Sequence, residues 1–234
     1  MCGIVGLFAK KENISANLGF HLSKMLESMS DRGPDSAGLA IFGKPIAKRA
    51  KIMVQSQSPE DDFQKLKKFL STKKEISFSF GTHSTHAVIK LDVKQKDKVI
   101  NLINDTFANL RILSVGKKME IYKEVGKPTE VVKRFEIAKM KGSHGIGHTR
   151  MATESAVTTL GAHPFSTGED QCLVHNGSLS NHNSLRRELM RKEMTFETEN
   201  DSEVAASFIT YRMNSGKTLK EALESALVEL DGFY

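Results

Sequence analysis

Cysteine is scarce in this 234-residue chain, with Cys2 and Cys172 the only two. Neither falls in a C-x-x-C pair or at a Cys/His ligand spacing, which argues against a structural zinc, an iron-sulfur cluster or a disulfide framework held by this chain. Long hydrophobic runs are missing too, since nothing approaches the roughly 18 apolar residues that span a bilayer. The first residues lack a basic segment leading into a roughly 7–15-residue apolar stretch, so no secretory leader is read and a cytoplasmic location is expected. There is no glycine-rich dinucleotide fingerprint and no phosphate loop. The net charge of +6 comes from lysines scattered through 64–74, 94–98 and 117–141. No aromatic-interleaved basic motif accompanies them, so the charge gives no basis for nucleic-acid binding.

What is present is an ordinary globular composition, 39% hydrophobic and 26% charged, on a chain long enough to bury a substantial core. GIVGLFA and LAIFG read as buried strands, and between them Leu18, Leu22, Met25, Leu26 and Met29 recur at helical spacing. The lysine-rich stretch 58–140 has its own alternation of elements. Ser58-Pro59 opens a helix carrying Phe63, Leu66, Phe69 and Leu70; ISFSF and HAVIKLDV are strands; KVINLINDTF is a helix; RILSVG and MEIYKEV are expected to pair. This predicts an inserted α/β module at 58–140 within a domain formed by 1–57 and 141–234. After residue 143, QCLVH reads as a strand and helices are expected from near Asn181, after Asn200-Asp201 and after Thr218, whose Glu221 fits a capping box. Asp231-Gly232 reads as a turn into a further strand, so the fold is expected to be incomplete at the last residue.

Several residues have two readings on local grounds. Cys2 is either a small packed hydrophobe or, once Met1 is trimmed, a nucleophile carrying its own base. An α-amine with a reference pKa of about 7.7–8.0 lies within reach of a thiol near about 8.5. Asn176-Gly177 is a strong hairpin-turn signal, Arg150 reads as a surface arginine, and Asp201 reads as a helix cap. His148, His163 and His175 read as packing or hydrogen-bonding residues, because no metal-ligand set accompanies them.

Six motifs in one order, MCGIVG, DRGPDSAG, GHTRMATES, GAHPF, HNGSLSNH and NDSE, resemble the class II glutamine amidotransferases, a branch of the N-terminal nucleophile hydrolases. They cover 1–42 and 143–234. The resemblance implies an α+β fold, a four-layer αββα sandwich. It also implies hydrolysis of glutamine to glutamate and ammonia, with Cys2 as nucleophile and the Asn176 amide and Gly177 N–H as oxyanion donors. Arg150 would hold the substrate carboxylate, Asp201 its ammonium, and Thr153 would join them in substrate binding; Arg32, Gly33 and Asp35 would be scaffold. No metal is implied.

Many members have Trp-Ala-Thr-His-Gly after the arginine where this chain has Met151-Ala152-Thr153-Glu154-Ser155. This departs from the sugar-phosphate isomerising and purine-forming branches. HTRMATESAV with CLVHNGSLSNHNSLRREL resembles instead the amidotransferase-like subunit of N-methylglutamate synthase and related glutamate synthase homologues. No cofactor is expected in this chain, and FMN or iron-sulfur chemistry would fall to partner subunits in a hetero-oligomer. The alternative is a weakly active or inactive scaffold that binds an amino acid and organises its partners. A hydrolase of some other amide is a third reading, disfavoured by the pairing of Arg150 with Asp201.

Overall fold

The computed structural model describes residues 2–152 and 156–233. Its first half comprises β1 (Gly3–Phe8), α1 (Glu12–Ala16), α2 (Leu18–Ser28), β2 (Ser36–Phe42), β3 (Arg49–Gln55), α3 (Pro59–Thr72), β4 (Phe78–His83), β5 (His86–Asp92), α4 (Lys96–Thr106) and β6 (Arg111–Gly116). There follow β7 (Met119–Val125), α5 (Pro128–Arg134), β8 (His144–Arg150), β9 (Phe165–Gly168), β10 (Gln171–Leu173), β11 (Ser178–Leu179), α6 (His182–Met190), α7 (Asp201–Asn214), α8 (Leu219–Glu229) and β12 (Gly232–Phe233). The α+β class is as expected, and so are the Thr218/Glu221 capping box on α8 and the strand after Asp231. Among the described residues no helix is long and apolar enough to cross a membrane.

The first sheet has the order β1-β8-β2-β7 and is antiparallel throughout. Its strands alternate with period two. Ala37, Leu39 and Ile41 of β2 face α2 and α5, while Ala40 and Phe42 turn the other way to meet Met119, Ile121, Ile146 and Cys172. The stripe Leu18, Leu22 and Leu26 that predicts α2 is fully buried against the first of these faces, each leucine contributing roughly 1.5–3 kcal/mol. Beyond the opposite face lie the short pairs β9-β10 and β11-β12. α7 packs on β9 and β10 and is flanked by α6 and α8, around Leu185, Leu189, Val204 and Phe208. The layer order is therefore helix, sheet, strands, helix.

The second sheet has the order β4-β5-β3-β6. Ile52, Val54, Ala87, Ile89 and Leu91 cover α3 and α4, and Met53, Val88 and Leu113 turn into the main core beside Tyr122 and Phe135. Burial on both faces accounts for the apolar triplets Ile52-Met53-Val54 of β3 and Ala87-Val88-Ile89 of β5.

Sheet membership divides the chain differently from the 58–140 boundary. β3, which precedes residue 58, pairs with β5 and β6; β7, inside 58–140, is the outer strand beside β2. RILSVG and MEIYKEV consequently do not pair with one another, contrary to expectation. Two features explain the switch. Met119 and Ile121 on one face of β7 and Tyr122 on the other are each covered by a different core. The turn before β7 is also satisfied from outside: the Asp170 carboxylate accepts the backbone N–H groups of Lys117 at 2.9 Å, Lys118 at 2.8 Å and Met119 at 2.9 Å.

Asp170 has φ +52°, a conformation asparagine tolerates. Asp170→Asn therefore removes the charge and one acceptor oxygen without new backbone strain. It is expected to cost about 1 kcal/mol, read as a lower urea midpoint; an unchanged midpoint would contradict the clamp.

Candidate active site

Strand register assembles the site. Gly3 of β1 lies opposite Thr149 of β8, so Cys2, one residue earlier, and Arg150, one residue later, meet at the same end of the sheet. Ser36 of β2 lies opposite Arg150, which brings Asp35 to the same edge. Asp35 donates its N–H to the Arg150 carbonyl at 3.1 Å and accepts the Ala152 N–H at 2.8 Å, fixing the chain as it leaves β8. Met151 N–H points at Cys2 Sγ at 3.5 Å, and Asn176 Nδ2 donates to the Cys2 carbonyl at 3.3 Å.

Cys2, Arg150, Asn176, Gly177 and Asp201 line one cavity of about 360 Å³, inside the range of roughly 300–1,000 Å³ usual for small-molecule sites. Thr153 lies outside the described residues, as does Glu154. A larger groove of about 720 Å³ runs alongside, but it is lined mainly by Ile4, Leu173, Leu179, Leu219, Leu223 and Leu227 and offers little to hold the two charges of an amino acid.

The local alternatives separate here. Asn176-Gly177 closes no hairpin, because β10 pairs with β9 and β11 with β12. A Cβ at Gly177 would lie 1.8 Å from the Phe233 carbonyl oxygen, so close backbone approach, not turn geometry, requires glycine. Asn200, not Asp201, caps α7, its side chain accepting Ser202 N–H at 2.9 Å. Asp201 instead accepts Leu179 N–H at 2.9 Å and the Ser202 hydroxyl at 3.3 Å while lining the cavity. Arg150 is 5% exposed, with Nη1 donating to the Ala156 carbonyl at 3.2 Å, and is no surface arginine. The cysteines differ as well: Cys2 borders the cavity, whereas burial beside the first sheet pushes the Cys172 thiol up to about 12.

Three histidines sit together at the cavity, His163 and His175 on its lining and His148 packed against His163. His148 stacks on His163 with ring centroids 4.1 Å apart and contacts the His175 carbonyl through Nε2 at 3.0 Å; His175 Nδ1 meets the Ser202 hydroxyl at 2.9 Å. Burial pulls His148 down to about 4 and His163 well below its usual value, so both are neutral near pH 7. Among the described residues no group of His, Cys, Asp and Glu side chains is arranged to hold a metal. His163 had a signal in GAHPF; the lining residues His182, Glu199 and Ser202 lie within or beside motifs but had no individual signal.

A family profile described as a glutamine amidotransferase domain matches residues 136–225. The chain is 55% identical over all of its 234 residues to the glutamine amidotransferase-like protein GlxB of Rhizobium meliloti (strain 1021), covering 77% of that protein. This chain belongs to the glutamine amidotransferase family. A shorter match, 38% identical over 48% of this chain and 18% of the other, reaches the isomerising glutamine–fructose-6-phosphate aminotransferase of Aliivibrio fischeri (strain ATCC 700601 / ES114).

The buried histidines set a pH dependence. Burial holds His148 at about 4 and His86 of β5 at about 3, both below the ordinary 6.5. The unfolded chain therefore binds more protons in acid, so their contribution is complete above about pH 6.5 and is lost as pH falls toward 4 and 3. The urea midpoint is expected to drop between pH 7.5 and 5, and His86→Gln is expected to flatten that drop. Equal slopes in the two proteins would exclude His86 as a source.

Proposed function

We propose that this chain binds glutamine and hydrolyses its side-chain amide, releasing glutamate and ammonia, with the ammonia passing to a synthase on another polypeptide. The observation that carries the reading is the convergence of Cys2, Arg150, Asn176-Gly177 and Asp201 on one cavity. With Met1 removed, the Cys2 α-amine takes the thiol proton and the sulfur attacks the carboxamide carbon. The Asn176 side-chain amide and Gly177 N–H receive the tetrahedral oxyanion. The C–N bond then breaks, ammonia leaves with the proton returned by the α-ammonium, and water cleaves the thioester to glutamate. Arg150 offers a planar, permanently charged fork for the α-carboxylate, and Asp201 offers a carboxylate for the ammonium.

The synthase is proposed to be of the N-methylglutamate synthase or glutamate synthase type, which makes the working form a hetero-oligomer. Support comes from the Met151-Ala152 continuation of β8 and from similarity over the whole of this chain to an amidotransferase-like protein, against similarity over about half of this chain to the isomerising enzyme. FMN or iron-sulfur chemistry of the acceptor reaction would sit on the partner.

Ammonia release from glutamine by the assembled protein is expected to vanish in Cys2→Ala without loss of assembly, and intact mass is expected to show Met1 absent. Release that is equal in wild type and Cys2→Ala would end the enzymatic reading and leave a binding scaffold in its place. Asn176→Ala is expected to lower turnover on the order of 100-fold. Arg150→Lys is expected to raise the glutamine KM, because the forked contact is lost; reduced turnover with unchanged saturation would contradict that role.

A further inference from the structure

Lys123 lies on β7, outside every family motif and outside the matched profile at 136–225, yet it is buried at 5% exposure and bonds to the residues on either side of His163, which lines the candidate site. Its ammonium donates to three backbone carbonyls of one short segment: Leu160 at 2.9 Å, Ala162 at 2.8 Å and Pro164 at 3.2 Å. It also stands 4.8 Å from the centre of the Phe165 ring. Three N–H groups thus meet three acceptors, the full donor capacity of a lysine. Burial pulls its proton affinity down to about 7 while Glu203 of α7 opposes that, and the three carbonyls likewise favour the charged form.

Space for this arrangement is made on β2. Gly38 is the cross-strand partner of both Lys123 and His148, so these three share one face of the sheet. A Cβ at Gly38 would lie 2.4 Å from Lys123 Cβ and 2.2 Å from the His163 carbonyl oxygen. The 156–164 segment therefore rests directly on the sheet, with the His163 ring over His148.

The held segment reaches the pocket in two places. His163 is part of the cavity wall, and the Ala156 carbonyl accepts from Arg150 Nη1 at 3.2 Å. A second tie comes from the residue next to Lys123: Glu124 accepts the buried Thr159 hydroxyl. Glu124 also accepts the Thr85 hydroxyl at 2.8 Å, from the turn between β4 and β5. The second sheet is thereby connected to the segment that contacts Arg150.

We propose that Lys123 is a positioning residue for substrate recognition: its ammonium fastens the 156–164 segment to β7 and so holds the Arg150 guanidinium and the His163 wall in the geometry that receives the amino acid's carboxylate end. This rests on the reading of the cavity as a glutamine site. Lys123 touches no reacting atom, so its effect falls on binding more than on the chemical step.

The experiment compares wild type with Lys123→Met, which keeps the aliphatic stem and removes the donors. In the assembled protein the glutamine KM is expected to rise about 10-fold or more with kcat changed less than about 3-fold. In a Cys2→Ala background, calorimetric glutamine affinity should fall by the same factor, and amide exchange across 156–164 should quicken while α2 and β2 keep their protection. Unchanged affinity, or unchanged exchange in that segment, overturns the proposal. Should Lys123→Met fail to fold, Thr159→Val replaces it; about a 3-fold loss of affinity with faster exchange in 156–164 is expected, and wild-type values for either overturn it. If wild type neither binds nor hydrolyses glutamine, the functional reading fails and the substrate role falls with it. The exchange data alone then decide whether Lys123 fastens the segment.

Discussion

The position of β8 between β1 and β2 is the constraint on which the site depends. An antiparallel register fixes pairs of residues far apart in sequence, and a slip of one residue would turn every side chain to the wrong face. Here Gly3 against Thr149 and Ser36 against Arg150 bring the first residues of the chain, the loop before β2 and the arginine to one sheet edge. The remaining components arrive from the strand layer beyond, where the segment after β10 carries Asn176 to the Cys2 carbonyl and the start of α7 supplies Asp201. Each element is anchored by the backbone, so the cavity is framed by main-chain geometry before any ligand enters.

Charge is distributed along that frame. Arg150 is buried on the β8 side and Asp201 is held by the Leu179 amide on the helical side, with Cys2 also on the cavity lining. An amino acid presents a carboxylate and an ammonium on one carbon, and a cavity with fixed groups of both signs matches that chemistry. The neutral His148–His163 stack, with His163 on the wall, adds bulk without adding a competing cation near pH 7.

Much of this was legible in the sequence, and the parts that were not share a cause. The leucine stripe of α2, the apolar faces of α3 and α4, and the Thr218–Glu221 cap follow local rules that the structure keeps. Strand β8, HGIGHTR, has no such rule: its glycines make room for α2, Arg150 and His148 serve the site, and His144 stacks on Phe42 at the far end, so neither hydrophobic alternation nor β-propensity marks it. β3, α5 and β9 carried no separate signal either. The pairing of β6 with β7 was misread because adjacency in sequence usually implies adjacency in a sheet, and nothing local announces that Asp170, more than fifty residues on, will hold the intervening turn. The motif residues were recognisable as a set, but Lys123 was not. Its partners are carbonyls, which leave no trace in side-chain chemistry.

The sharing of strands between the two sheets limits how far this protein can be pared down. A version kept to the motif-bearing stretches would forfeit β7, leaving β2 as a bare edge and stripping Met119, Ile121 and Tyr122 from two hydrophobic clusters. The minimal autonomous unit therefore extends well past the segments that carry the chemistry, and the intervening stretch is as much foundation as attachment.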